Sequence, residues 1–323
     1  MKTLLWDRKW VILFSIGFSF NLLLFSPAWS LDYPTKPITI VASASAGGPS
    51  DLHARILGEV VSKELGTPVV VVNKGGPGGA LAASSVANEK PDGYTFLVTQ
   101  SGTMTSNFVL FPNLPYKRTD LVPLFRSVVV PCSVAVKADS PWKTFQDFLE
   151  AVKKNPGKVR SGTCSANISL IWQGLMKHEG LDITHLMYKG APDALLALMG
   201  GHVDVYPDAV APMVSHIEAG KIRLLASISS KRNKQYPEVS TLYELGYHTF
   251  SKDLWNGFFA PVGVPQPILD KVTLAFQKAL SQPNVQVQIE KVGLFAGYMS
   301  PKEFSDLIDN EYKFYMDVGK QAK

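Results

Sequence analysis

This chain of 323 residues is short of the groups that carry most enzyme chemistry. It has two cysteines, Cys132 and Cys164, and six scattered histidines. There is no Cys-x-x-Cys pair, and His178-Glu179 lacks the second histidine that a zinc-protease helix needs. Neither a phosphate-cradling P-loop nor a Gly-x-Ser-x-Gly nucleophile elbow occurs. No basic run with interleaved aromatics is present, and a net charge of +5 is too diffuse to hold a nucleic acid. Repeats and low-complexity tracts are missing as well. These gaps argue against catalysis and favour binding; no cofactor or metal is implied. A Ser/His hydrolase of small esters or amides survives only as a constellation invisible in sequence.

What is present begins with an export signal. Lys2, Arg8 and Lys9 form a basic start, Trp10 to Phe25 an apolar stretch, and Ala28-Trp29-Ser30 a small-x-small cleavage site. The apolar stretch is shorter than the roughly 20 residues a membrane span needs. Cleavage after Ser30 predicts a periplasmic mature chain of 293 residues starting at Leu31, with its charge reduced to +3. That length suits two ordinary domains. An oxidising compartment permits a Cys132–Cys164 bridge, but two residues make a weak framework, and buried free thiols are the expected state.

Strands alternate with amphipathic helices along the mature chain. Ile38–Ala42 reads as a strand, followed by a helix from Leu52 to Leu65 with Leu52, Ile56, Leu57, Val60 and Val61 on its apolar face. The β-branched run Val69–Val72 predicts a strand buried on both faces. Further strands are expected at Tyr94–Thr99, Val128–Val136, Val159–Thr163, His185–Tyr188, Val203–Tyr206, Arg223–Ile228 and Trp255–Ala260. Helices are expected over Ala80–Ala87, Phe145–Lys154 capped by Thr144, Ile168–Lys177, Asp193–Met199, Pro212–Ala219, Pro267–Leu280 and Lys302–Lys320. This alternation implies crossover connections and a parallel sheet.

Four loops follow strands, where open parallel sheets place their ligands. The first, Ser43-Ala44-Ser45-Ala46-Gly47-Gly48-Pro49-Ser50-Asp51, leads into a helix whose first-turn amides and dipole suit an anion. Asp51 either steadies this loop through backbone amides or sits on the surface neutralising the dipole. His53, nearby, is expected to be a surface histidine. The second loop, Gln100-Ser101-Gly102-Thr103-Met104-Thr105-Ser106-Asn107, holds Ser101, Thr103 and Thr105, and its hydroxyls and amide suit recognition of an acid. In the third, Ser165, Ala166, Asn167 and Ser169 open another helix N-terminus. The fourth contains Asp208, either a helix cap or a side chain aimed into the site.

Several runs together resemble one family. They are Tyr33-Pro34-Thr35-Lys36-Pro37-Ile38, Ala46-Gly47-Gly48-Pro49-Ser50-Asp51, Lys74…Gly78-Gly79, Pro91-Asp92-Gly93-Tyr94, Leu114-Pro115-Tyr116, Pro156-Gly157-Lys158, Tyr188-Lys189-Gly190 and Gly200-Gly201-His202-Val203-Asp204. In order and spacing they resemble the Bug family, the extracytoplasmic solute receptors of tripartite tricarboxylate transporters. The resemblance covers essentially the whole mature chain. It implies an α/β, type II periplasmic-binding-protein fold, with two lobes of mainly parallel sheet and a ligand cleft between them. Residues 1–30 would be the signal peptide, 31–130 plus 255–323 the first lobe, and 131–254 the second.

The resemblance also implies a monomeric receptor that holds a small carboxylic acid and hands it to membrane permease subunits. The loops expected to grip the ligand carboxylate map onto Ser43–Ser50 and Ser165–Ser169. The sequence departs from the family in the first loop, Ser43-Ala44-Ser45-Ala46, where relatives usually carry an aromatic and prolines. Thr103-Met104 stands where a Thr-His pair is frequent, and Pro207 precedes Asp208 where an aromatic is commoner. These changes leave the identity of the acid open. A ligand-sensing partner of a membrane histidine kinase would use the same cleft.

Overall fold

The computed structural model describes residues 33–322, and from Lys36 onward the chain forms one compact unit. The export signal and its cleavage site lie outside the described residues. The first elements are β1 (Ile38–Ala42), α1 (Pro49–Leu65), β2 (Val69–Asn73), α2 (Ala80–Ala87), β3 (Thr95–Gln100), and the one-turn helices α3 (Ser101–Met104) and α4 (Asn107–Leu110). Then come β4 (Leu121–Val130), β5 (Cys132–Lys137), α5 (Phe145–Lys154), β6 (Arg160–Thr163), α6 (Ala166–His178), β7 (Thr184–Met187) and α7 (Ala191–Met199). The chain ends with β8 (Tyr206–Ala209), α8 (Val214–Glu218), β9 (Ile222–Ser227), β10 (Leu254–Pro261), α9 (Gln266–Ser281), α10 (Pro283–Lys291), β11 (Phe295–Met299) and α11 (Pro301–Ala322).

Six strands form one sheet in the order β11-β4-β10-β3-β1-β2. A second region holds the sheet β8-β5-β9 and the pair β6-β7. Parallel pairing holds where a helix links the strands, as in β1 with β2 and β6 with β7, and also joins β1 to β3. The ladders of β10 with β3 and β4, of β11 with β4, and of β5 with β8 and β9 are antiparallel. They belong to chain segments that run between the two regions and back. Pro131 separates β4 from β5, so one extended run serves both sheets. The return passes from β9 through the Lys252 amide, bonded to Ile228 O at 2.9 Å, into β10. The result is two α/β lobes joined by two extended crossovers.

The local elements follow from residue chemistry. The Thr144 hydroxyl accepts from the Asp147 amide at 3.1 Å, while the Asp147 carboxylate accepts from the Thr144 amide at 3.0 Å, so α5 starts with a capping box. Its Phe145, Phe148, Leu149 and Val152 are all buried, as their spacing predicts. In the first lobe, Phe125 and Phe258 stack at 4.8 Å and Phe276 lies 4.6 Å from Phe258. Each such buried ring contributes about 1.5–3 kcal/mol.

Several expectations are corrected. The strand Val69–Val72 is not buried on both faces: Val70 and Val72 are exposed, because β2 is the sheet's last strand and only one face is covered. The buried stripe of α1 is His53, Ala54, Leu57, Gly58 and Val61, rotated from the predicted face. Small residues there let the helix approach the sheet; a Cβ on Gly58 would stand 3.3 Å from Val69 Cγ1. The strand expected at Val203–Tyr206 forms at Tyr206–Ala209 instead, paired with β5. Helix Pro212–Ala219 shortens to α8 behind a 3₁₀ turn. Both cysteines are free, as expected, but only Cys132 is buried; Cys164 is partly exposed.

Candidate ligand cleft

The first loop leaves β1 at Ser43 and enters α1 at Pro49. Its shape is held by Asp51, which is buried. One carboxylate oxygen accepts from the Gly47 amide at 2.9 Å; the other accepts from Arg55 Nε at 2.8 Å and Asn73 Nδ2 at 2.9 Å. Asn73 also donates to Ala44 O at 3.0 Å. Burial opposes ionisation of Asp51, but the bonds from Arg55, Gly47 and Asn73 outweigh it and hold the carboxyl below its ordinary range. Of the two readings left open, steadying the loop is therefore the one observed. The Gly48 amide bonds to Ser45 O at 3.0 Å. With its amide oriented to satisfy both ends, Asn256 accepts from the Ser50 amide at 3.1 Å and the Ser50 hydroxyl at 3.2 Å. Among the described residues this leaves the consecutive amides of Ala44, Ser45 and Ala46 without an intramolecular acceptor.

His53 is fully buried rather than on the surface. Burial pushes its ring down to about 4, so it is neutral. Nδ1 meets Pro49 O at 2.6 Å and Nε2 meets Ser127 Oγ at 3.0 Å. Ser127 also lies 3.0 Å from Asn256 O. The histidine thus ties the start of α1 to the crossover strands β4 and β10.

In the second loop the hydroxyls turn inward. Thr103 Oγ1 donates to Gly78 O at 2.8 Å and Thr105 Oγ1 to Ser101 O at 2.8 Å. Asn107 Nδ2 donates to the same Gly78 carbonyl at 2.9 Å. Gly78 has φ +61°, and a Cβ there would fall 2.2 Å from Asn107 Oδ1, so only glycine fits this junction. Ser43 receives the Thr99 hydroxyl at 2.7 Å.

In the third loop Ser165 caps α6, accepting from the Ile168 amide at 3.4 Å. Ser169 pairs with His185 Nε2 at 3.0 Å, and burial holds that imidazole neutral, down to about 4. Ala166 and Asn167 are buried in the first turn of α6. The Asn167 side chain reaches the second loop, where Nδ2 donates to Ser101 Oγ at 2.7 Å. Asp208 is no helix cap. It lies inside β8, where its carboxylate accepts from the Thr163 hydroxyl, the Cys164 amide at 2.8 Å, the Cys164 thiol at 3.3 Å and the Ala209 amide at 2.7 Å. It braces the third loop much as Asp51 braces the first.

The N-termini of α1 and α6 meet at one small cavity, lined among others by Pro49, Gln100, Cys164, Ser165, Asp208 and Asn256. Its volume is ≈ 20 Å³, and one water needs roughly 10–15 Å³. Its described lining contains no Lys, Arg or His. An anion held there is met by backbone dipoles and neutral amides rather than by an ion pair. Trp255 also lines it and donates its indole N–H to Glu311 at 2.9 Å. Burial pushes Glu311 up to about 7, against the opposing pull of Trp255, Lys252 and Arg126. Three larger grooves, ≈ 730, ≈ 700 and ≈ 410 Å³, lie around Trp142, Tyr236 and Leu269, away from all four loops.

Of the predicted residues, Ser165 and Asp208 line the cavity directly; Ser50 stands behind Asn256, and Asn167 and Ser101 bind each other. Gln100 stands at the start of the predicted second loop, whereas Ala191, Trp255 and Asn256 were not anticipated as cleft-wall residues. Asn256 carried a signal: it is an amide inside the otherwise apolar run Leu254–Pro261.

Two α/β lobes, two crossovers and helix N-termini facing one interlobe cavity define a periplasmic binding protein of type II. Residues 53–320 match the model of the tripartite tricarboxylate transporter family receptor, and the chain belongs to that family. It is 36% identical over 294 residues to a UPF0065 protein from the TAR-I ttuE-ttuC′ intergenic region of Agrobacterium vitis, covering 90% of this chain and 84% of the relative. R. palustris Rpa4515, solved with adipate, superimposes with a TM-score of 0.86 at 27% identity, covering 90% of this chain and 98% of that one. MatC from Rhodopseudomonas palustris, solved with bound malate, gives a TM-score of 0.82 at 29% identity, covering 89% and 100%. Periplasmic binding protein BugD superimposes with a TM-score of 0.84 at 30% identity, covering 90% of this chain and 98% of that one, so the resemblance to Bug receptors read from the sequence holds.

Proposed function

We propose that this chain is an exported receptor that captures a small carboxylic acid between its lobes and delivers it to the permease subunits of a tripartite transporter. The first lobe would comprise 31–130 plus 255–323 and the second 131–254, after removal of residues 1–30. The observation that carries the reading is the meeting of two helix N-termini at one cavity without cationic side chains. The amides of Ala44–Ala46 and those opening α6 at Ala166 would hold the carboxylate. Gln100 and Asn256 would face the rest of the molecule, while Ser43, Thr103, Ser169 and Asp208 keep the loops in shape. A cavity of ≈ 20 Å³ is too small for such an acid, so loading requires the lobes to separate about the crossovers. The adipate and malate bound by structural neighbours support the ligand class.

A thermal-shift panel of mono-, di- and tricarboxylates, sugars and cations tests this on the mature protein. An acid at about 100 times its dissociation constant should add roughly 2.7 kcal/mol to the folded state. A clear shift with an acid and none with sugars or cations is expected. Flat melting temperatures across the acids, with the absence of co-purified ligand confirmed by native mass spectrometry, would overturn the reading.

A further inference from the structure

We infer that Asn167 is an interlobe latch, a positioning residue that closes the cleft without any contribution from ligand. The inference rests on the lobe assignment proposed above, with Asn167 on the second lobe and residues 101–106 on the first. Asn167 has no exposed surface. Its Nδ2 donates to Ser101 Oγ at 2.7 Å, and its Oδ1 accepts from the Ser106 hydroxyl. The Thr105 hydroxyl, which donates at 2.8 Å to Ser101 O, adds a longer contact to Oδ1 at 3.3 Å. Both ends of the amide are therefore engaged by the opposite lobe, and neither is directed at the cavity's contents.

The surrounding backbone is built to allow this approach. A Cβ on Gly102 would lie 3.0 Å from Asn167 Oδ1 and 3.3 Å from the Ala166 methyl carbon. The lobes also touch where Ser45 faces Gly190, at which a Cβ would stand 2.7 Å from Ser45 Oγ, and where Gln235 Nε2 donates to Glu290 O at 2.6 Å. These contacts join protein to protein, so the closed form has its own free energy. A buried amide that loses its partners on opening recovers bonds to water, and each neutral hydrogen bond is worth only a modest net amount. The latch therefore sets a closed-to-open ratio that one substitution can move. Apparent affinity for a ligand that binds only the closed form falls in proportion to the closed fraction.

The test uses ligand-free mature protein and small-angle scattering of the wild type, Asn167→Ala and Ser106→Ala. The second variant approaches the latch from the first lobe and keeps α6 intact. Thermal unfolding confirms that each is folded; if Asn167→Ala is not, Ser106→Ala and Ser101→Ala carry the comparison. The wild type should have the scattering profile of the closed form. The variants should shift the closed-to-open ratio by about five- to tenfold towards open, with a larger radius of gyration and faster amide exchange at Ser101–Asn107. Superimposable profiles for wild type and folded variants would overturn the latch, as would a wild type already open without ligand. Because no ligand is used, failure of the acid panel and failure of the latch are separate results.

Discussion

Asp208→Asn is the most discriminating single substitution in this cleft, because the carboxylate stands at the cavity yet is saturated by its own loop. The residue is 2% exposed. One oxygen accepts from the Thr163 hydroxyl and from the Cys164 amide at 2.8 Å, and the other from the Ala209 amide at 2.7 Å. An asparagine presents oxygen on one side and N–H on the other. Its better orientation keeps the oxygen towards Thr163 and Cys164 and sets its N–H against the Ala209 amide. That pairs donor with donor and leaves buried N–H groups unsatisfied, at about 1–3 kcal/mol, and weakens the remaining bonds by removing the charge. Loss of a buried charge gives back part of its desolvation. The expected net is a destabilisation of about 1–3 kcal/mol, read by urea unfolding of the ligand-free protein as a lower midpoint with an unchanged slope. Affinity for an acid should weaken through distortion of the third loop, and to a similar degree for acids with and without an amino group. An unchanged midpoint together with a selective loss for amino-bearing acids would refute the bracing role and place the carboxylate in ligand contact.

Two further outcomes follow from the geometry around the cleft. Glu311 is raised to about 7 in the folded chain, so between its unfolded pKa near 4.3 and about 7 the folded state binds the extra proton, and stability falls as pH rises through that window. Glu311→Gln, which keeps an acceptor for Trp255, should therefore stabilise by about 3–4 kcal/mol at pH 8 and have little effect at pH 4.5; a pH-independent difference in urea midpoints would contradict this. Gly78→Ala must place its Cβ 2.2 Å from Asn107 Oδ1 at φ +61°, so a loss of about 3 kcal/mol or more is expected, and a melting temperature equal to wild type would show that the second loop is freer than its bonds imply.

The sequence was most readable where a local rule acted alone. The Thr144 cap and the apolar face of α5 follow from spacing within one helix. The two helix N-termini that meet at the cavity are each legible in sequence, because Gly47-Gly48-Pro49 and Ser165-Ala166-Asn167 each mark a strand-to-helix turn. What escaped needed tertiary knowledge. Val69–Val72 has the composition of a central strand, and only the sheet order makes it an edge. His53 stood outside the predicted apolar stripe because that stripe was read from Leu, Ile and Val, whereas the packed face uses Ala54 and Gly58. Thr103 and Ser169 are polar in sequence and read as ligand contacts, yet Gly78 O takes the Thr103 hydroxyl and Ser169 is paired with His185. Asn256 and Gln100 reach the cavity only because β10 returns beside β3.

The missing cation in the cleft has a consequence for how such a receptor changes over generations. Under the proposed reading, a carboxylate held by the amides of Ala44–Ala46 and the opening turn of α6 would be held by atoms that every residue but proline carries. Point mutations in these loops can exchange side chains without removing the donors, provided Asp51 and Asp208 keep the loop shapes. Preference for one acid over another is then free to drift through Gln100, Asn256 and their neighbours while capacity for acids as a class persists. The vulnerable positions are the scaffolding carboxylates, so inheritance of a new diet is easier than loss of appetite altogether.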